Sequence, residues 1–313
     1  MNFLAQFKSL NKIGSSNNSV IYNADNKQAL KVVVHDAETP HNHSLQCEHL
    51  KNEAKLLKKL DHPNIIKCQK YHQSLQNKDQ IYCCIQEELG DMDLFSLIEK
   101  TFPEKIDIQT LKQLVHQVCQ GLQYLHNKAN IAHNDIKLEN VLLFLSDEGT
   151  DSVSAVPKIA DFGFSRVQDD SKDLEDFYER WNNRSNSSLA PEILRFKKYY
   201  REKKFEKIIG AFDEKKSEMF SLGIMIFSAF FLRSPISSET AHTQDKYYKY
   251  FYTKQYEKFW AQQDFQFEFK RISKEPNSKM NQFQNLIQGL LAANPKERFD
   301  INQVVNHPWF QQD

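Results

Sequence analysis

Net charge is the first thing missing: Lys+Arg and Asp+Glu both total 41 in a chain of 313 residues. A general polyanion binder carries a basic excess, so no nucleic-acid partner is expected. Cysteine is scarce and odd in number, and Cys47, Cys68, Cys83, Cys84 and Cys119 show no C-x-x-C spacing. That argues against a disulfide framework or a zinc site and leaves the expectation of small buried thiols in a reducing compartment. The opening MNFLAQFKSL lacks a basic stretch followed by a long apolar run, so no secretory leader is expected. The longest apolar stretch, roughly Met219 to Leu232, falls short of the about 20 residues that a bilayer span needs and reads as a buried core helix. Internal repeats and long low-complexity tracts are also missing. Together these absences predict an intracellular, cytoplasmic chain without a membrane partner, and they leave its oligomeric state unknown.

What is there is enough material for a core. Hydrophobic residues make up 40% and aromatics 12% of the chain, so disorder is not the default. The length suits one large domain or two lobes sharing a cleft. Residues 7 to 34 read as consecutive strands, broken at the turn-like Ala24-Asp25-Asn26-Lys27. Residues 44 to 60 read as a helix stopped by His62-Pro63-Asn64, and IIKCQKYH and IYCCIQEE read as further strands. After Gly90 the period changes. Leu111, Leu114, Val115, Val118, Leu122 and Leu125 recur at helical spacing. Short strands around VLLF and VPKIA flank a hairpin loop over Ser146 to Ala155, and helices follow. The expected fold class is α+β, a small antiparallel-sheet lobe with one main helix and a larger helical lobe.

Two segments carry chemistry: His133-Asn134-Asp135-Ile136-Lys137-Leu138-Glu139-Asn140, and Asp161-Phe162-Gly163 after the apolar KIA. An Asp at a turn ordinarily serves backbone hydrogen bonding. In this order and separation, however, the two segments resemble the catalytic and metal-binding loops of protein kinases. The resemblance runs from about Phe7 to Phe310, through Ala190-Pro191-Glu192, Ser221-Leu222-Gly223, Asn294-Pro295-Lys296-Glu297-Arg298 and His307-Pro308-Trp309-Phe310. It implies a bilobal kinase fold, with a nucleotide-clamping lobe over residues 1–88 and a lobe over residues 89–313, together one kinase domain. DFGFS and HPWF lean towards the calcium/calmodulin-dependent-like group.

The roles follow from that resemblance. Phosphoryl transfer asks a protein for positioning and charge neutralisation. Asp135 would take the proton of a serine or threonine hydroxyl on a protein substrate, and Lys137 would screen the transferring phosphate. Asn140 and Asp161 would hold Mg²⁺ on ATP. The lysine in Asp135-x-Lys137-x-x-Asn140 looks serine/threonine-type. Nucleotide contacts are assigned to Ile13, Gly14, Ser15, Ser16, Ser19, Ile21, Ala29, Lys31, Glu87 and Leu142. The partner of Lys31 can be argued from periodicity: Leu50, Glu53, Leu57 and Leu60 make an apolar helix stripe, and a carboxylate on it needs a buried cation. Glu48 lies on the polar face, so Lys31–Glu53 is the expected pair. Arg298 is expected to pair with Glu192, and either Ile85 or Gln86 guards the adenine pocket.

Several positions depart from the pattern. Ser16 and Ser19 replace glycines of the phosphate loop, which predicts weaker or stiffer nucleotide clamping but not its absence. Asn134 replaces the arginine that would clamp a phosphorylated activation segment, so activity is expected not to depend on that phosphorylation. Glu218 and Phe220 stand for the family's aspartate and tryptophan, and Arg184-Ser185 for its Gly-Thr. Ser185 keeps a hydroxyl within reach of Asp135 and Lys137. With every chemical role filled, an active serine/threonine kinase is the leading expectation. The alternative is a weakly active or inactive scaffold.

Overall fold

Aromatic and β-branched runs before residue 37 become three antiparallel strands, β1 (Leu10–Ser15), β2 (Val20–Ala24) and β3 (Gln28–Asp36). Lys27 closes the turn between β2 and β3 with a left-handed φ of 55°. Helix α1 (Pro40–Leu57) follows, then β4 (Cys68–Asn77) and β5 (Gln80–Glu88), giving a five-stranded sheet in the order β1-β2-β3-β5-β4. This computed structural model describes residues 10–15, 19–24, 27–36, 40–77, 80–101, 106–147, 153–168, 174–182, 184, 186–208, 213–265 and 277–311. The chain divides into two compact units, residues 1–92 with 142–163 and residues 93–141 with 164–313. The units therefore do not follow chain order. Strands Val141–Asp147 and Val153–Ile159 and the Asp-Phe-Gly segment fall largely with the sheet.

Within the sheet-rich unit, strand parity sorts the side chains. Val33, Cys83 and Ile85 face α1 and pack on Cys47, Leu50 and Ala54, while Leu30, Val32, Tyr82 and Cys84 form a second cluster on the other face. Burying each large apolar side chain contributes roughly 1.5–3 kcal/mol. Cys47 and Cys83 form a disulfide, Cα–Cα 5.7 Å, which corrects the expectation of five free thiols. A helix and a strand that pack face to face bring together residues 36 apart, and no motif spacing announces such a pair. The closed loop restricts the unfolded chain and so stabilises the unit by roughly 2–4 kcal/mol. Cys68, Cys84 and Cys119 are free.

The helix-rich unit is built around α3 (Ile108–Tyr124), capped by Asp107 accepting from the Gln109 and Thr110 amides. Its buried stripe is the predicted one, Leu111, Leu114, Val115, Val118 and Leu122. Helix α2 (Leu94–Thr101) precedes it, and α4 (Leu174–Asn182), α5 (Pro191–Arg201) and α6 (Glu214–Phe231) follow. The apolar stretch near Met219 is the buried helix α6, and no described helix is long and apolar enough to cross a membrane. Gly223 on α6 lets helix Asn277–Leu290 and its end approach closely: an added Cβ would meet Leu291 Cδ2 at 2.8 Å and Leu290 Cβ at 2.9 Å. The acidic stretch before Glu179 meets the basic one after Arg195 through rings, Phe177 on Phe196 at 4.7 Å and Tyr178 on Tyr200 at 4.2 Å. Asp169, Asp170 and Asp173 lie outside the described residues. His307 and Trp309 are buried packing residues, with the His307 ring accepting from the Trp309 amide.

Candidate active site

In the sheet-rich unit the chemistry gathers around one ammonium. Lys31 Nζ on β3 bonds Glu53 Oε1 at 2.8 Å and Oε2 at 2.9 Å, and Asp161 Oδ1 at 2.7 Å. Glu48 is exposed on the far side of α1. Burial alone would make Lys31 easier to deprotonate, but the Glu53 and Asp161 carboxylates outweigh it and hold the ammonium charged well above its usual range. Asp161 adopts φ 62°, a left-handed backbone that Asp tolerates better than most residues. Beside it, a Cβ added to Gly163 would sit 3.4 Å from Asp161 Oδ1 and 3.7 Å from Lys31 Nζ, so glycine leaves the charged atoms uncovered.

Register fixes what else shares this face. Lys31 pairs with Ile85 and Ala29 with Glu87 across β3 and β5. Ile85 therefore lies on the face of Lys31, whereas Gln86 points the other way and bonds Gln28 and Gln69. Ile21 on β2 also pairs with Lys31, and Ala29 is buried. Gly14 and Ser15 end β1, Ile13 is exposed, Ser19 is buried just before β2, and Ser16 lies outside the described residues. Leu142 packs against Gly90 so closely that a Cβ there would meet its own Cβ at 2.9 Å.

Glu87 is a consequence of this crowding. Its Oε1 is buried without a hydrogen-bond partner, and burial together with the nearby Glu53 pushes its carboxyl up to about 8. The folded chain thus binds this proton more tightly than the unfolded one. The contribution is full below the ordinary value of 4.5 and is lost as pH rises through about 8. Glu87→Gln abolishes the titration, so the variant should gain on the wild type by about 4 kcal/mol between about pH 5 and about pH 9. Urea unfolding across that range checks it. A stability difference that stays constant with pH would contradict the assignment.

In the helix-rich unit Asp135 is held on every side. Its Oδ1 accepts from Arg184 Nη2 at 3.0 Å, and its Oδ2 accepts from Asn140 Nδ2 at 2.7 Å and Lys137 Nζ at 2.9 Å. Burial would raise the Asp135 carboxyl, but Arg184 and Lys137 prevail and hold it below the usual range. Asn140 spends its amide nitrogen on the Asp135 carboxylate and carbonyl, which leaves the amide oxygen for a cation.

The loop carrying Asp135 hangs from α6. Glu218 Oε1 accepts the Asn134 amide at 2.5 Å, and Oε2 accepts the His133 amide at 3.2 Å and contacts His126 Nε2 at 2.6 Å. The extra methylene of Glu therefore reaches the loop backbone with both oxygens. Asn134 takes φ 66° and donates to Glu214 Oε2 at 2.6 Å, so it ties the loop to the first turn of α6. Sequence reasoning missed His126 and Glu214 because their partners lie 92 and 80 residues away. It saw Arg184 only as a departure, and Ser185 lies outside the described residues.

These loops and the Lys31 cluster agree with what comparison finds, since a sequence profile described as protein kinase domain matches residues 7–310. The chain belongs to the protein kinase family. This kinase domain is 31% identical to the meiosis-specific serine/threonine-protein kinase mek1 of Schizosaccharomyces pombe, over 83% of this chain and 49% of that protein. It is 25% identical to the DNA damage response protein kinase DUN1 of Saccharomyces cerevisiae, over 96% of this chain and 54% of the relative. A probable myosin light chain kinase of Dictyostelium discoideum is 29% identical over 83% of this chain and 44% of its own length. The kinase domain thus spans about half the length of the curated relatives it matches. Members of the family use ATP and Mg²⁺ and act on proteins.

Proposed function

We propose that the chain is a serine/threonine protein kinase transferring the γ-phosphate of MgATP to a protein hydroxyl, with Asp135 as the base. The observation that carries this reading is Lys31 bonded at once to Glu53 and Asp161. A cation held between two carboxylates, beside an uncovered glycine, suits a polyphosphate and a hard divalent ion. Asp161 would offer that ion a carboxylate oxygen and Asn140 an amide oxygen, and the bound Mg²⁺ would neutralise charge on the phosphate oxygens.

Asp135 takes the proton from the substrate hydroxyl as that oxygen bonds to the γ-phosphorus. The bond from phosphorus to the bridging oxygen breaks, and its electron pair leaves with ADP. Lys137 and Lys31 screen the charge that moves. Asn134 spends its amide on Glu214 and offers no guanidinium, which supports activity without activation-segment phosphorylation. The balanced charge supports a kinase with no nucleic-acid partner.

The test is to incubate the chain with γ-labelled ATP, Mg²⁺ and a generic protein substrate, then hydrolyse and separate the phosphoamino acids. Label on phosphoserine or phosphothreonine is expected. Label on phosphotyrosine, or no transfer at any Mg²⁺ concentration, would overturn the reading.

A further inference from the structure

Arg184 belongs to none of the roles above, yet its guanidinium is enclosed and ion-paired within the helix-rich unit. Its side chain is 6% exposed. The guanidinium carbon lies 4.7 Å from the Phe164 ring centroid and 4.4 Å from that of Trp181, so the planar group is held between two aromatic faces. Stacking of this kind is attractive and fixes the plane of the fork. One nitrogen of that fork points at Asp135 Oδ1, 3.0 Å away.

The acceptor capacity of Asp135 shows what this does. A carboxylate offers about four lone-pair sites, two on each oxygen. Lys137 and Asn140 both bond Oδ2, which fills it, while among the described residues only Arg184 bonds Oδ1. The place left for a substrate hydroxyl is therefore the second lone pair of Oδ1, on the oxygen that the guanidinium holds.

We propose that Arg184 is a positioning residue for Asp135, orienting the oxygen that receives the substrate's proton. This rests on the reading of Asp135 as the base. Arg184 stands where the resemblance leads one to expect a glycine, so its fork enters a place that a side chain would ordinarily leave open. Asp135 faces Arg184, Lys137 and His133, while Arg184 faces Asp135, Glu218 and Glu214. Lys197, bonded to Asn186, adds its charge from α5.

Two variants separate positioning from simple structural support. Arg184→Gln keeps a planar group between the rings but loses the charge, and Arg184→Lys keeps the charge but loses the fork. In both variants the plateau kcat should fall by about tenfold or more while KM for ATP stays within about twofold of the wild type. Three-bond couplings to the Asp135 carboxyl carbon, which report its side-chain rotamer and need no catalysis, should show one rotamer in the wild type and averaging in both variants. A single wild-type rotamer in Arg184→Gln would overturn the proposal, as would a wild-type plateau in Arg184→Lys. If Arg184→Gln does not fold, the Arg184→Lys plateau and couplings still decide. If the wild type transfers no phosphate but the couplings average as stated, Arg184 positions the carboxylate and the base assignment is what fails.

Discussion

Asp135→Asn is expected to lower kcat by about 10²–10⁴-fold, the range over which a positioned general base contributes. The substitution is nearly isosteric, so the loss would be chemical. An amide cannot take the hydroxyl proton, and one of its two ends must present N–H groups to a cation. On the Oδ1 side that cation is Arg184, and on the Oδ2 side it is Lys137, with Asn140 also donating there. The amide would satisfy one side only, and Arg184 would lose its ion pair while buried, at a cost of a few kcal/mol. The check needs three readings: label transfer at saturating ATP, ATP binding by calorimetry and thermal unfolding. Binding within about twofold of the wild type and a modest fall in Tm should accompany the lost turnover. A kcat equal to the wild type would remove Asp135 from the chemistry.

The parts of the site that could be read in advance are those where a local pattern implies a distant partner. Glu53 sits on an apolar stripe between Leu50 and Leu57, and burial demands a cation there, so Lys31 could be named before any coordinates. The long helix α3 and the buried helix α6 follow from period and length alone. What could not be read depends on parity or on packing between elements. In IYCCIQEE nearly every residue is apolar or ambiguous, and a shift of one residue turns each side chain to the opposite face. The choice between Ile85 and Gln86 therefore waited on the pairing of Lys31 with Ile85. Cys47 and Cys83 look like any two buried thiols until α1 is laid on β5. Arg184 gives no local sign of a role, because its rings come from Phe164 and Trp181 and its carboxylate from a loop 49 residues upstream. That Glu218, a methylene longer than the aspartate it stands for, still anchors the loop depends on its position on α6, which brings both its oxygens to the loop amides.

Arg298→Met should be the most destabilising single change outside the chemistry, at about 3–5 kcal/mol in urea unfolding. The guanidinium has no exposed surface. Its Nη1 meets Glu192 Oε1 at 2.6 Å, its Nη2 meets Oε2 at 3.0 Å, and it also donates to the carbonyls of Lys216 and Ala292. This side chain therefore binds the start of α5, the first turn of α6 and the chain after helix Asn277–Leu290. Methionine fills much of the volume and keeps contact with Phe220, whose ring centroid lies 5.3 Å from the guanidinium carbon. The loss then comes from a buried carboxylate without its cation and from carbonyl bonds that methionine cannot make, not from a cavity. The double variant Arg298→Met with Glu192→Met tests this cause, because it removes both charges together. It should be more stable than Arg298→Met alone by about 1 kcal/mol or more, since the stranded carboxylate is gone. Additive losses in the cycle would mean that the two residues stabilise the helices independently, through packing and the carbonyl bonds, and that the ion pair between them contributes nothing of its own.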